Sequence, residues 1–234
     1  MQLFFNPSLD NSFKQFFFPQ DESKHIIKVL RKVEGDILSI TNGRGSLFQA
    51  KILEANPKKC KAQIVSEEKT IPRLHTLHIA IAPTKLNDRF EWFLEKATEI
   101  GIHEITPILC EHSERRVIKP ERLERVLQSA MKQSLQTFLP KLNPLVPFER
   151  FLGSVQGDLK LVAHCHPEEK LELKRRVQAD KDVIILIGPE GDFSKNEVDM
   201  ALSHGFLPVS LGRNRLRTET AGIVACSTVA IINS

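Results

Sequence analysis

The chain has 234 residues, 41% hydrophobic and 26% charged, a balance that supplies one large or two small cores and excludes a disordered polypeptide. No window reaches the ~18 consecutive apolar residues of a membrane helix, and the start, Met1 to Pro7, lacks both the basic region and the cleavage site of a signal peptide. A net charge of +4 is by itself a faint pointer to nucleic acid, so the placement of the charge matters more.

From the N terminus, Asp21 or Ser23 can cap a short helix whose apolar positions are Ile26, Ile27, Val29 and Leu30, with Gly35 as its stop. Gly35 to Thr41 and Ser46 to Glu54 are β-rich and flank Asn42-Gly43-Arg44-Gly45, strong hairpin-turn chemistry. Lys61 to Val65 is a further strand. Short strands of this kind predict a small β-barrel over residues 1–72, since closure removes exposed sheet edges.

From residue 73 to 234 the pattern alternates strand and helix. Leu77 to Ala82 is an apolar strand, and Phe90, Phe93, Leu94, Ala97 and Ile100 place one apolar face on a helix that Gly101 ends. Ile105 to Cys110 follows, then a helix opened by Pro120 at its favoured first position. Leu159 to Cys165 and Val183 to Gly188 are strands, the second apolar on both faces. Ser194 and Glu197 form a capping box for a helix that Gly205 ends; Leu207 to Leu211 and an apolar helix over Thr218 to Ile232 complete the chain. Such alternation predicts an α/β domain with a mostly parallel sheet covered on both sides.

In open parallel sheets, ligands bind beyond the carboxyl ends of the strands. Two loops there are unusual: Gly188-Pro189-Glu190-Gly191-Asp192-Phe193, and Leu211 to Ala221. Glycines in the first permit a tight turn and close approach of a ligand, and Ala221-Gly222 permits close packing at the start of the last helix. Basic residues gather in two places. Between His112 and Lys141 seven (Arg115, Arg116, Lys119, Arg122, Arg125, Lys132, Lys141) face three acidic ones, and Arg213, Arg215 and Arg217 fall within five residues. No GxGxxG, GxxxxGK[ST] or GxSxG motif occurs, so dinucleotide, P-loop and hydrolase readings lack support. Cys60, Cys110, Cys165 and Cys226 form no CxxC pair and read as buried thiols of a reducing compartment. His164 and His166 could form a metal pair, but no third ligand is placed by sequence, and no metal is expected.

Five ordered blocks carry a family resemblance. They are His25-Ile26-Ile27-Lys28-Val29-Leu30-Arg31 with Gly35-Asp36; Lys85 with Asp88-Arg89 and Glu95 to Gly101; Met131 to Ser134; Gly188 to Gly191; and Leu211-Gly212 with Leu216 to Ala221. Together they resemble the RsmE-like family of ribosomal RNA small-subunit uridine-N3 methyltransferases, within the SPOUT superfamily. The resemblance implies a PUA-like, RNA-binding β-barrel over 1–72 and a SPOUT methyltransferase domain over 73–234, tied in a trefoil knot. It implies S-adenosylmethionine as cofactor, held by Gly188, Pro189, Glu190, Gly191, Leu211, Gly212, Leu216, Thr220 and Ala221. Arg217 would stabilise charge on the uracil, and Glu219 would act as an acid/base or orienting group. Arg217 could instead form a structural ion pair with Glu219 or Glu190. RNA phosphates would meet His25, Lys28 and Arg31 in the barrel and Arg115 and Arg116 beyond it.

The implied substrate is 16S ribosomal RNA, free or in the small subunit, and the implied protein is a cytoplasmic homodimer joined through the knot region. Three positions depart from the family pattern: Asp192 where many relatives have glycine, His112 where arginine is frequent, and Gln2-Leu3 where many carry arginine. Two other readings compete: an RNA-binding or ribosome-assembly factor that has lost catalysis, and a SPOUT enzyme of transfer RNA.

Overall fold

A computed structural model describes residues 2–10, 12 and 14–234. The chain forms two compact units, residues 1–72 with 131–139, and residues 73–130 with 140–234.

In the first unit, β1 (Leu3–Phe5), β3 (Ile37–Thr41), β4 (Ser46–Glu54), β5 (Lys61–Lys69) and β2 (Gln15–Phe17) pair in that order. β4 and β5 are long and offset by two register irregularities, between Gln49 and Ala50 and between Ile52 and Glu54. Such bulges raise local twist and curl a sheet. Phe4, Phe18, Ile26, Ile40, Phe48 and Ile52 fill its inside, and the Phe4 and Phe18 rings meet edge-on at 5.8 Å.

The helix of this unit differs from the sequence expectation. α1 (Gln20–Lys24) is entered from Pro19, and neither Asp21 nor Ser23 caps it. Ser23 is buried instead: its hydroxyl donates to the Phe18 carbonyl and accepts from the Cys60 amide. A π-helical turn over His25–Val29 follows, and the chain turns at Arg31, φ +56°, four residues before Gly35. The wider turn seats Ile26 in the core and leaves Val29 63% exposed, so Val29 does not serve the core as expected.

The second unit is built on eight strands, every pair parallel. β11 (Leu171–Glu172), β13 (Leu207–Ser210), β10 (Leu159–Ala163), β12 (Val183–Ile187), β6 (Leu77–Ile81), β7 (Glu104–Leu109) and β8 (Lys141–Leu142) lie side by side, and β9 (Val146–Pro147) also pairs with β7. Every residue of the central β12 is buried. Fully burying such side chains stabilises by about 1.5–3 kcal/mol each. Helices α2 (Asn87–Ile100), α3 (Pro120–Gln133), α4 (Phe148–Ser154), α5 (Leu173–Arg176) and α6 (Lys195–Ser203) lie between the strands, and α7 (Thr218–Ile232) follows the last of them. Gly101 ends α2 in the left-handed conformation, and Ser194 and Glu197 close a complete capping box on α6. Phe148, Phe151, Phe193 and Phe206 pack with Val162, Leu186 and Val198 in one large cluster.

Candidate functional site

Parallel pairing puts the carboxyl ends of β13, β10 and β12, three neighbours in the sheet, along one edge. The loops leaving them enclose a cavity of about 670 Å³, a size typical of small-molecule sites. Gly188, Pro189, Glu190 and Asp192 form one wall; Leu211 to Thr218, with Ala221, form another. The loops expected from sequence to hold one ligand therefore share one cavity, and a hydrogen bond joins them. The buried Thr218 hydroxyl, in the first turn of α7, donates to the Gly188 carbonyl at 3.1 Å. Of the expected cofactor residues, Gly191 and Thr220 do not line the cavity, and neither does Glu219.

The glycines of the first loop make room for the chain's own side chains. A Cβ on Gly188 would lie 3.1 Å from Phe193, and one on Gly191 would lie 3.0 Å from the Cβ of His112. His112 Nδ1 in turn lies 3.1 Å from the Asp192 carbonyl, so this departure from the family pattern is used in positioning the loop. Glu190 accepts from the Lys85 amide at 2.9 Å, fixing the loop after β6 against the loop after β12. Ala221 lies on the cavity wall, whereas Gly222 lies against the Phe93 ring of α2.

Arg213, Arg215 and Arg217 all line the cavity, and among the described residues none has a carboxylate within ion-pair distance. The structural ion pair open to Arg217 on sequence is not made. Glu219 lies beside Arg89 of α2 instead, at 3.9 Å, with its carboxylate largely buried. The other basic cluster is mostly committed to structure. Arg122 pairs with Glu91 at 2.6 Å, Lys132 with Glu22 at 3.5 Å and Lys141 with Glu104 at 2.9 Å. The Arg115 guanidinium donates to the Thr84 and Lys85 carbonyls, holding the loop between β6 and α2. Arg116 is exposed. In the first unit Lys28 and Arg31 are exposed, while His25 is half-buried, 2.9 Å from the Gln2 amide.

The third wall, His164, Cys165 and Lys170 after β10, went unrecognised in the sequence. Composition shows that β10 exists but not that it lies between β12 and β13, which is what forces its loop into the cavity. Cys165 is exposed there, correcting its reading as a buried thiol; Cys60, Cys110 and Cys226 are buried. Asp192 reaches across and its carboxylate accepts from the Cys165 amide at 2.7 Å. His164 and His166 lie with ring centroids 5.4 Å apart, but His166 Nε2 is 2.8 Å from the Phe193 carbonyl. Among the described residues no group of three His, Cys, Asp or Glu is placed to hold a metal, and no helix is long and apolar enough to cross a membrane.

One unit with an all-parallel sheet and a cavity at one strand edge, and another with a curled sheet, define a class: an RNA methyltransferase domain model matches residues 72–230, and an RNA methyltransferase PUA domain model matches residues 18–65. The ribosomal RNA small subunit methyltransferase E of Buchnera aphidicola is 33% identical over 92% of this chain and 88% of its own. A crystal structure of a probable rRNA-methyltransferase from Porphyromonas gingivalis superposes with a TM-score of 0.93, at 44% identity over 100% of this chain and 98% of that one. A ribosomal RNA small subunit methyltransferase E of Neisseria gonorrhoeae, crystallised with S-adenosyl methionine, gives 0.86 at 25% identity, over 100% and 98%. The chain belongs to the ribosomal RNA small subunit methyltransferase E family.

Proposed function

We propose that this protein methylates N3 of a uridine in 16S ribosomal RNA, with S-adenosylmethionine bound in the cavity between the loops after β10, β12 and β13. One observation carries the reading: the two glycine-bearing loops, bonded through Thr218 and Gly188, wall one cavity beside three arginines that pair with no carboxylate among the described residues. The residues present suit that donor. Gly188 to Glu190 and Leu211 to Leu216 border the cavity, and glycine there lets a ligand approach the backbone.

When bound, the cofactor supplies a methyl group already activated on a sulfonium. Neutral uracil carries a proton on N3, so the lone pair becomes available only as that proton leaves, and positive charge nearby favours its loss. Arg217, exposed at the start of α7 and with no carboxylate in ion-pair distance among the described residues, is the group we assign to holding that charge. Glu219, away from the cavity surface and beside Arg89, acts as a positioning residue for the helix start. Gly191 and Thr220 shape the cofactor loops without lining the cavity.

We place RNA capture on the first unit, through His25, Lys28 and Arg31, and on Arg116, with Arg115 shaping the loop that carries Lys85. The protein acts in the cytoplasm, where its substrate is assembled. A homodimer forms through α7, whose Ile231 is 73% exposed and whose Ile223 and Val224 are only partly buried.

Nucleoside mass spectrometry of small-subunit RNA from a deletion strain tests the assignment. Loss of 3-methyluridine on deletion, restored by the wild-type gene and reduced at least ~100-fold with Arg217→Ala, is the expected result. Full restoration by Arg217→Ala removes Arg217 from the mechanism. Retention of 3-methyluridine in the deletion strain removes the activity from this protein.

A further inference from the structure

Phe16, Phe17 and Phe18 are consecutive, and the alternation of an extended chain parts them. Phe16 and Phe18 are buried in the core of the first unit, whereas Phe17 is 46% exposed. Strand register shows the face on which it stands. Phe17 of β2 pairs with Lys61 of β5, which pairs with Glu54 of β4. Two residues along, Gln15, Gln63, Lys51 and Ile37 form a row across four strands, all of them exposed. The row between, Phe16 with Ala62 and Ile52, is buried. The outer face of the curled sheet thus carries an open phenyl ring on the edge strand β2.

Two ammonium groups attend that ring. Lys59 Nζ lies 4.2 Å from its centroid and Lys61 Nζ 5.8 Å. The ion pairs of this unit are Lys32 with Asp36 and Lys132 with Glu22; among the described residues none involves Lys51, Lys59 or Lys61, although Glu54 stands opposite Lys61 in register. Clustered like charge is unfavourable until an anion meets it, and the ring has no core to serve. One ligand chemistry answers both features: a flat base for the ring and a phosphate for the ammonium groups. We infer that Phe17, with Lys59 and Lys61, is a stacking platform for an unpaired base of an RNA substrate. The inference rests on the reading that this protein acts on RNA, and it adds a base contact to the phosphate contacts placed on His25, Lys28 and Arg31. Lys59 has a flexible four-carbon stem, so its ammonium can leave the ring for a phosphate as the base takes its place. Every base has a π-face, so the platform holds an open strand without reading its sequence.

Fluorescence anisotropy of the full-length protein with a labelled single-stranded oligouridine of ~12 nucleotides, in the absence of methyl donor, tests the platform. Phe17→Ala is expected to weaken binding at least ~5-fold, and Phe17→Trp to keep it. Lys59→Gln and Lys61→Gln should each weaken binding and also flatten the slope of log affinity against log salt by about 0.7, whereas Phe17→Ala leaves that slope unchanged. An abasic oligomer with the same backbone should bind wild type and Phe17→Ala alike. The free Phe17→Ala protein should melt within ~2 °C of wild type, because Phe17 lies outside the core.

Equal affinity of wild type and Phe17→Ala for the oligouridine overturns the platform. So does an equal loss on the abasic oligomer, which marks a phosphate surface or a structural role, and so does failure of the wild-type protein to bind the oligouridine. Retention of 3-methyluridine in the deletion strain would remove the methylation reading and leave these binding results standing, so the two fail separately. Should Phe17→Ala not fold, Phe17→Trp decides: quenching of the added tryptophan by the oligouridine, against a wild type whose one tryptophan is Trp92, supports stacking, and unchanged emission refutes it.

Discussion

Asp192 occupies the left-handed region, φ +65°, at a loop position where glycine would carry no strain. Its side chain offsets that strain: the carboxylate accepts from the Cys165 amide at 2.7 Å and from its own neighbour's amide, Phe193, at 2.9 Å. Aspartate tolerates this conformation better than most residues because its short polar chain bonds locally. The two components separate by substitution. Asp192→Ala keeps the strained backbone and loses both bonds, and should destabilise by about 2 kcal/mol in urea unfolding. Asp192→Gly loses the same bonds but relaxes the backbone, and should cost about 1 kcal/mol or less. A glycine variant less stable than the alanine variant would mean that backbone strain at Asp192 is negligible.

At the scale of elements, the end of the sheet opposite the cavity is fixed by side-chain hydrogen bonds to the backbone. His103, before β7, accepts from the Leu77 amide through Nδ1 at 3.1 Å, and Asp182 accepts from the amide and hydroxyl of Thr76. Burial, then the charges of Arg73 and His75, lower the His103 pKa to about 4. An unfolded histidine titrates near ~6.5. Between those values the unfolded chain takes up a proton that the folded one refuses, so this contribution is complete above about pH 6.5 and is lost as pH falls towards 4. Allowing for partial solvent screening, His103 accounts for roughly 1–2 kcal/mol of acid sensitivity. His103→Asn, compared with wild type by urea unfolding at pH 7.5 and 5.0, should show the smaller drop; equal drops would exonerate His103.

None of this polar clamp is legible in the sequence, because it depends on which strands are neighbours. The elements themselves are. Apolar periodicity placed α2 and α7, and the capping box placed α6, because each signal is local. The order β13-β10-β12 is not local, and the wall contributed by His164, Cys165 and Lys170 stayed hidden with it. Arg115 shows the same limit. A cluster of arginines reads as a phosphate surface until the carbonyls of Thr84 and Lys85 are found against the guanidinium.

At the scale of the whole chain, two units do not correspond to two continuous stretches. Residues 131–139 leave the second unit and pack in the first, although sequence pattern counts them with the α/β region. Backbone bonds hold them there. Gly45 donates to the Thr137 carbonyl at 2.9 Å, Leu139 donates to the Gly43 carbonyl at 3.0 Å, and the buried Thr41 hydroxyl also reaches the Thr137 carbonyl. The hairpin turn between β3 and β4 is therefore a receptor for a distant segment as well as a reversal. Gly45 is its tightest point: φ is +91°, and a Cβ would fall 2.5 Å from the Phe138 ring. Gly45→Ala should push Phe138 outward and open this contact locally, a sub-global event that hydrogen exchange resolves. In the full-length variant, the Leu139 amide is expected to exchange at least ~10-fold faster, while the amides of Val183 to Ile187 keep wild-type protection. Unchanged exchange at Leu139 would show that the segment is held without the turn. Equal acceleration at β12 would show that the two units open together, and that returning the chain to the first unit couples their stability.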